Sequence, residues 1–278
     1  MAIKRSGFYS CLTYLFLSAS MLFLFSGCGD GADGAQKSGL RLKSSTTWQL
    51  QLQGTINSDY DVDLYDIDLF DTPQETIEKL HGEGRTVICY FSAGSYEEWR
   101  EDNGRFPKEA LGKDLDGWEG ERWLDIRNKT VWNIMEERIE LAKRRGCDGV
   151  DPDNVNGYDN DTGFDLTAQD QAAFNKFLSS IARREGLFIG LKNDMGQIEE
   201  LEPYFDFAVN EQCHEYGECD LLEPFIRNGK PVFNVEYDRK FIDDMAEREA
   251  LCRDSEVRNI RTLILPLSLD DSFRISCE

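Results

Sequence analysis

The sequence predicts a single α/β domain folded as a (β/α)8 barrel, and three observations carry that reading. Eight short apolar runs of strand character recur along residues 48–267, amphipathic helical segments with recognisable ends lie between many of them, and a glycine often stands a few residues before the next strand. Strands alternating with helices require a parallel sheet, and eight of them suffice to close one into a barrel. An open doubly wound sheet is the second reading of the same alternation.

Residues 1–28 stand apart from that pattern. Lys4 and Arg5 precede an apolar run from Phe8 to Phe25, which ends in Phe25-Ser26-Gly27-Cys28, so the segment reads as an export signal. The tetrad resembles the lipobox of bacterial lipoproteins, in which Cys28 becomes the lipidated first residue of the mature chain. The expected location is therefore the cell envelope, through a lipid anchor in the membrane, or outside the cell if the signal is simply cleaved; an uncleaved anchor is a further reading. Residues 29–47 are Gly/Ser/Thr/Lys-rich without periodicity and read as a flexible tether, leaving 48–278 as the domain.

The domain opens with candidate strands Trp48–Leu52 and Val62–Leu69. Thr72-Pro73-Gln74-Glu75 then reads as a capping box with proline at the first helical position, and Gly82 marks that helix's end. Strand Thr86–Phe91 is followed by an unusually long segment, from Ser92 to about Asn128, carrying Tyr96, Trp99, Phe106, Trp118 and Trp123. A loop of that length in a compact domain is usually functional, and its aromatics suit either sugar stacking or a small core of their own.

Asn128 caps a helix with Val131, Ile134, Met135, Ile139 and Leu141 near one face, closed by Gly146. Strand Gly149–Asp153 follows. Thr167 caps the next helix, whose Phe174, Phe177, Leu178 and Ile181 keep the 3.6-residue period as far as Gly186. Strands Leu187–Lys192, Phe207–Glu211, Pro231–Tyr237 and Thr262–Leu267 complete the set, with helices expected over Leu221–Ile226 and Asp243–Cys252.

In a barrel of this kind, function collects at the C-terminal ends of the strands. Six successive ends carry polar groups: Asp66 and Asp68, Tyr90 and Ser92, Asp151 and Asp153, Lys192 and Asn193, Asn210 and Glu211, Glu236 and Tyr237. Asn154 and, from the long loop, Asp125 join them as candidate wall residues of a carboxylate-lined pocket.

Composition narrows the partners. The chain has 31 basic and 53 acidic residues for a net charge of −22, and both basic residues of the leader precede the body, which is more acidic still. Such a surface repels nucleic acid and attracts polycations. With two histidines and no Cys-x-x-Cys, neither a zinc site nor any other cofactor is expected. Disulfides are expected for Cys213 with Cys219, across a tight loop, and for Cys252 with Cys277. Cys89 and Cys147 lie in or beside apolar strands and read at least as readily as buried free thiols.

Other chemistries fit poorly. Gly82-Glu83-Gly84 precedes a strand instead of following one, Ser92 and Ser95 lack a Gly-x-Ser-x-Gly frame, and Asp151-x-Asp153 resembles a calcium loop without its turn glycine.

Six ordered motifs converge on one family. Trp48-Gln-Leu-Gln-Leu52, Tyr65-Asp-Ile-Asp68, Cys89-Tyr-Phe-Ser-Ala-Gly94, Gly149-Val-Asp-Pro-Asp-Asn154, Gly190-Leu-Lys-Asn193 and Asn210-Glu-Gln-Cys213 resemble the glycoside hydrolase family 114 domain, over roughly residues 48–277. The resemblance implies a TIM barrel that cuts internal α-1,4 bonds of galactosamine-containing polymer, with the catalytic pair on Asp153 and Glu211. Asp151 stands where many relatives carry Glu, keeping the charge and shortening the reach.

Glycoside cleavage needs one carboxylic acid to protonate the leaving oxygen and one carboxylate to attack C1 or activate water. Asp153 is expected as nucleophile, kept ionised by Lys192 on the intervening strand, and Glu211 as acid/base in a drier setting. The spacing that separates retention from inversion is not readable from sequence. Asp66, Asp68, Asp125, Asp151 and Glu236 are expected to bind the ammonium groups of a cationic polymer. The competing reading is a surface lipoprotein that binds polysaccharide without cutting it.

Overall fold

The computed structural model describes residues 42–277. The leader, Cys28 and the tether up to residue 41 lie outside them, and among the described residues no helix is long and apolar enough to cross a membrane.

Eight parallel strands follow one another round the sheet in chain order: β1 (Trp48–Gln51), β2 (Leu64–Asp68), β3 (Thr86–Ser92), β4 (Gly149–Asp153), β5 (Phe188–Lys192), β6 (Phe207–Glu211), β7 (Val232–Glu236) and β8 (Arg261–Ile264). Each lies within three residues of its predicted bounds. The expected barrel has an unexpected seam. Ile275–Ser276 pairs antiparallel with β8, and because β7 holds one edge of β8, this short strand takes the edge that faces β1. Trp48 Nε1 donates to Arg261 O at 3.0 Å, while Arg274 donates to Trp48 O at 3.0 Å and to Gln49 Oε1 at 2.8 Å. The C-terminal segment thus ties the first strand to the eighth.

Alternation along the strands sorts the side chains into two cores. Trp48, Leu64, Ile88, Phe207, Val209, Phe233, Val235 and Leu263 fill the barrel interior. Tyr65, Val87, Phe91, Val150, Ile189 and Val232 face outward onto the helices. Two inward glycines make the interior fit. A Cβ on Gly190 would sit 2.4 Å from Phe207 Cε2, and one on Gly149 would sit 2.6 Å from Ile88 Cδ1.

Helix α1 (Gln74–Gly82) starts without the predicted capping box: Pro73 stands at the cap position and no side chain caps the helix. The Thr72 carbonyl accepts from the Arg145 guanidinium instead, so this end is tied to the neighbouring helix. Helix α2 (Lys129–Arg145) is capped by Asn128, which accepts from Thr130 N at 2.8 Å, and α3 (Ala168–Glu185) by a Thr167–Asp170 capping box; both end on left-handed glycines as expected. Residues 221–226 divide between a 3-10 turn ending at Leu222 and a short helix, Glu223–Arg227. Helix α4 (Met245–Arg258) runs a turn and a half past its predicted end at Cys252, because its later buried position is the polar Ser255 and leaves no apolar periodicity to read.

The long segment after β3 is a small domain-like excursion. Ser95–Glu97, Glu121–Leu124 and Leu111–Asp114 form an antiparallel sheet in that order. Two buried arginines pin it to the barrel: Arg100 binds both oxygens of Asp68 (2.6 and 3.0 Å) and Glu97 Oε1 (2.9 Å), and Arg138 of α2 binds Asp102 (2.7 and 2.8 Å) and Ser92 O (2.7 Å).

Cys213–Cys219 and Cys252–Cys277 are bonded as expected. Cys89 and Cys147 are bonded too, which decides between the two readings left open for them. Cys89 points outward from β3 and Cys147 enters β4 beside it, so the neighbouring strands bring the sulfurs together. That bridge spans 58 residues including the excursion, and opening it with Cys89→Ser and Cys147→Ser is expected to cost about 4 kcal/mol of stability through the freed chain entropy. Thermal unfolding of the double variant measures this; an unchanged midpoint would contradict it.

Candidate active site

The strand ends converge at the mouth of the barrel. Asp153 closes β4, Lys192 closes β5 and Glu211 closes β6, and the residue after each, Asn154, Asn193 or Gln212, is left-handed with φ of 61°, 51° and 64°. Non-glycine residues avoid that region unless their surroundings hold them there. Here it stops each strand directly after the side chain that faces the mouth. Gly94 helps fix the first of these turns, since a Cβ there would fall 1.8 Å from Asn154 O.

Lys192 stands between the two acids. Its Nζ is 3.1 Å from Asp153 Oδ1 and 3.4 Å from Glu211 Oε2. Asp153 also accepts from Asn154 N at 2.7 Å and from the Tyr90 hydroxyl at 2.9 Å. Glu211 accepts from the Tyr237 hydroxyl at 2.5 Å and from Asn193 Nδ2 at 3.2 Å. Burial alone would lower the Lys192 pKa, but Asp153, Glu211 and Asp151 outweigh it and hold the ammonium above the usual lysine value. Asp153 and Glu211 deprive the two tyrosines of any tendency to ionise: burial, then the adjacent carboxylate, pushes both well above the ordinary phenol.

These groups open onto a cleft of about 430 Å³. Asp68, Tyr90, Asp151, Asp153, Asn154, Lys192, Asn193, Glu211 and Tyr237 line it, as predicted. Four predicted wall residues do not. Asp66 lies inside the barrel one layer below Asp151, fully buried, where desolvation and then Asp151 push its pKa well up. Ser92 is buried behind the wall, its hydroxyl 2.6 Å from that of Ser95. Asp125 pairs with Arg127 at 2.8 Å at the base of the excursion. Glu236 points outward from β7, where Oε1 accepts from His214 N at 2.9 Å.

Asp68 reaches the cleft but is engaged with Arg100 and with the backbone of Phe70 and Asp71, which leaves it no free oxygen for a substrate ammonium. The expected drier setting of Glu211 is also corrected. Its side chain is 28% exposed against 18% for Asp153.

Two acceptor-rich carboxylates beside one ammonium, open to a cleft and flanked by hydroxyls, are equipped for acid/base and nucleophilic work on a sugar acetal. A model of the glycoside hydrolase family GH114 matches residues 30–278. The chain belongs to family GH114. It is therefore a glycoside hydrolase. Among solved structures it is similar to Ega3 of Aspergillus fumigatus, determined in complex with galactosamine: 42% identity, TM-score 0.81, covering 86% of this chain and 98% of that one. It also shares its fold with the glycoside hydrolase domain of PelA from Pseudomonas aeruginosa, at 12% identity and a TM-score of 0.65, covering 83% and 98%. No curated protein sequence matches.

The GH114 barrel draws the rest of its cleft from residues that were not singled out as site candidates. Glu97, Arg100 and Glu121 reach it from the excursion, and Leu267–Leu269 from the loop after β8. Burial pushes Glu121 up to about 7, the Ser95 hydroxyl opposing at 2.7 Å. The aromatics of the GH114 excursion divide between both expected roles. Trp99 and Trp118 are about half exposed and line the cleft, whereas Phe106 and Trp123 are buried and Tyr96 packs edge-on against Phe106.

Proposed function

We propose that the protein is an exported, endo-acting hydrolase that cuts internal α-1,4 bonds of a galactosamine-containing polysaccharide, held at the cell envelope by a lipid on Cys28. Asp153 is the nucleophile and Glu211 the acid/base. The observation that carries this reading is the single ammonium of Lys192 contacting both carboxylates at the floor of an open cleft.

In the first step an Asp153 oxygen attacks C1 while Glu211 gives its proton to the glycosidic oxygen, leaving a glycosyl ester on Asp153 and a free 4-hydroxyl on the departing chain. In the second, Glu211 takes a proton from water, whose oxygen attacks C1 and releases Asp153. The greater exposure of Glu211 favours this division, because the acid/base must meet both the leaving group and incoming water. Two displacements at C1, each with inversion, return the α configuration, which is the outcome of a retaining enzyme.

Trp99 and Trp118 offer flat faces to sugar rings, and the acidic wall suits the ammonium of a deacetylated unit. The mature domain is expected to shorten a deacetylated α-1,4-galactosamine polymer to oligomers whose newly formed ends are α, by mass spectrometry and proton NMR of the first minutes of reaction. Activity should fall with salt, as screening weakens attraction between exposed charges. Intact polymer would sink the substrate assignment; β ends would sink the retaining mechanism.

A further inference from the structure

A second cavity, of about 260 Å³, adjoins the main cleft and shares Asn156, Asn193, Glu211 and Gln212 with it. Asp153, Tyr90 and Lys192 line the larger space alone, while Glu211 stands on the boundary. The smaller cavity is walled by Tyr158, Asp159, Asp194, Tyr216 and Glu218.

Asp194 sets this cavity apart from a merely acidic surface. It is 2% exposed and follows Asn193 as a second consecutive left-handed residue, φ 47°. Its Oδ2 accepts from Asn175 Nδ2 at 2.9 Å. Its Oδ1 is buried with no hydrogen bond; the nearby Tyr158 hydroxyl eases its charge without reaching bonding geometry. A buried carboxylate oxygen left without a donor is costly unless something else supplies one. Tyr158 closes over the backbone here, for a Cβ on Gly196 would sit 2.5 Å from its hydroxyl.

We infer that this smaller cavity is the leaving-group subsite, taking the amino-sugar unit on the far side of the cut, with Asp194, Asp159 and Glu218 around its ammonium. The inference rests on the hydrolase reading above and deepens it. A nucleophile confined to the larger cavity and an acid/base on the boundary give the polymer a direction: the unit bonded to Asp153 stays in the larger cleft, and the unit released by Glu211's proton departs through the smaller one. An enzyme that cuts inside a chain must hold sugar on both sides of the bond. Burial pushes Asp194 up to about 8, and a cation in the cavity is the partner that would restore its charge.

The test compares two substrates with the same donor sugars: a galactosamine hexamer, whose leaving group is sugar, and a nitrophenyl α-glycoside of a galactosamine trimer, whose leaving group is not. Asp194→Asn, and independently the paired surface changes Asp159→Asn and Glu218→Gln, which leave the buried position intact, are assayed on both. The loss in kcat/KM is expected to fall about tenfold more heavily on the hexamer, the scale of one charge-assisted contact. Equal losses on both substrates would mean the residues serve only the scaffold, and no loss on the hexamer would mean the cavity holds no sugar; either overturns the inference while the hydrolase reading stands. A wild-type protein that cuts neither substrate sinks that reading and this one together.

Discussion

Asp153→Asn is expected to lower kcat on the polymer by at least about 10⁴-fold while leaving the fold intact, because loss of a nucleophile removes a covalent step that the remaining machinery cannot replace. The change is nearly isosteric, and the Tyr90 hydroxyl at 2.9 Å keeps an oxygen to donate to. Glu211→Gln should be as damaging on the polymer but far milder on a glycoside with an activated phenol leaving group, which departs without a proton. Azide separates the two further. With Glu211→Gln it attacks the Asp153 ester from the face water would use, giving an α-glycosyl azide. With Asp153→Asn it must occupy the nucleophile's own place and give the β product. Product configuration by NMR decides; an α-azide from Asp153→Asn would exchange the two roles, and full activity in either variant would remove that residue from the chemistry.

Much of this site was legible because a barrel converts sequence order into position. Once the eight strands are recognised, an acid abutting an apolar run is at the mouth, and Asp153, Lys192 and Glu211 follow without coordinates. Facing is harder to read. Val232, Phe233 and Val235 are all buried because β7 is covered on both sides, so its sequence shows no alternation to say whether Glu236 or Tyr237 points inward. Counting by two from Phe233, which packs in the interior, makes Tyr237 the inward residue.

Depth is equally hidden. Asp66 and Asp68 face the same way, but one pleat separates a buried acid beneath Asp151 from one on the cleft wall. The excursion escaped because its strands are three or four residues long, too short for either period to declare itself, and Arg100 gives no sign in sequence that it will be buried against Asp68 and Glu97. Cys89 and Cys147 were ambiguous for a related reason. Their bond depends on which strands are neighbours, and β3 and β4 are adjacent across 58 residues of chain.

Lys192→Met should be the single change at the site that costs most stability, and it should slow the reaction as well. Lys192 is buried, its ammonium touches Asp153 and Glu211, and it lies close enough to Asp151 to oppose the rise in that residue's pKa. Methionine fills similar volume but leaves the acids facing one another without a cation, and an unpaired buried charge of this kind costs about 3–5 kcal/mol. The sign of the pH dependence follows. Asp66 and Asp151 already titrate above the ordinary carboxylate value in the folded protein, first through burial, and losing the lysine raises them further. A carboxyl whose folded pKa exceeds its unfolded one binds more protons when folded, so its stability contribution is lost as pH rises from about 3.9 through the folded value, about 7 for Asp151 before the change. The variant's unfolding midpoint should therefore climb as pH is lowered across that window, more steeply than the wild type's. On the polymer, kcat should fall about 10³-fold, since a preorganised charge beside both reacting groups is gone. Lys192→Arg should restore the stability better than the rate, because a planar guanidinium can neutralise the acids without fitting between them at 3.1 and 3.4 Å. Equal midpoints for Lys192→Met and wild type at every pH, with the polymer still cut, would show that the acids need no cation between them.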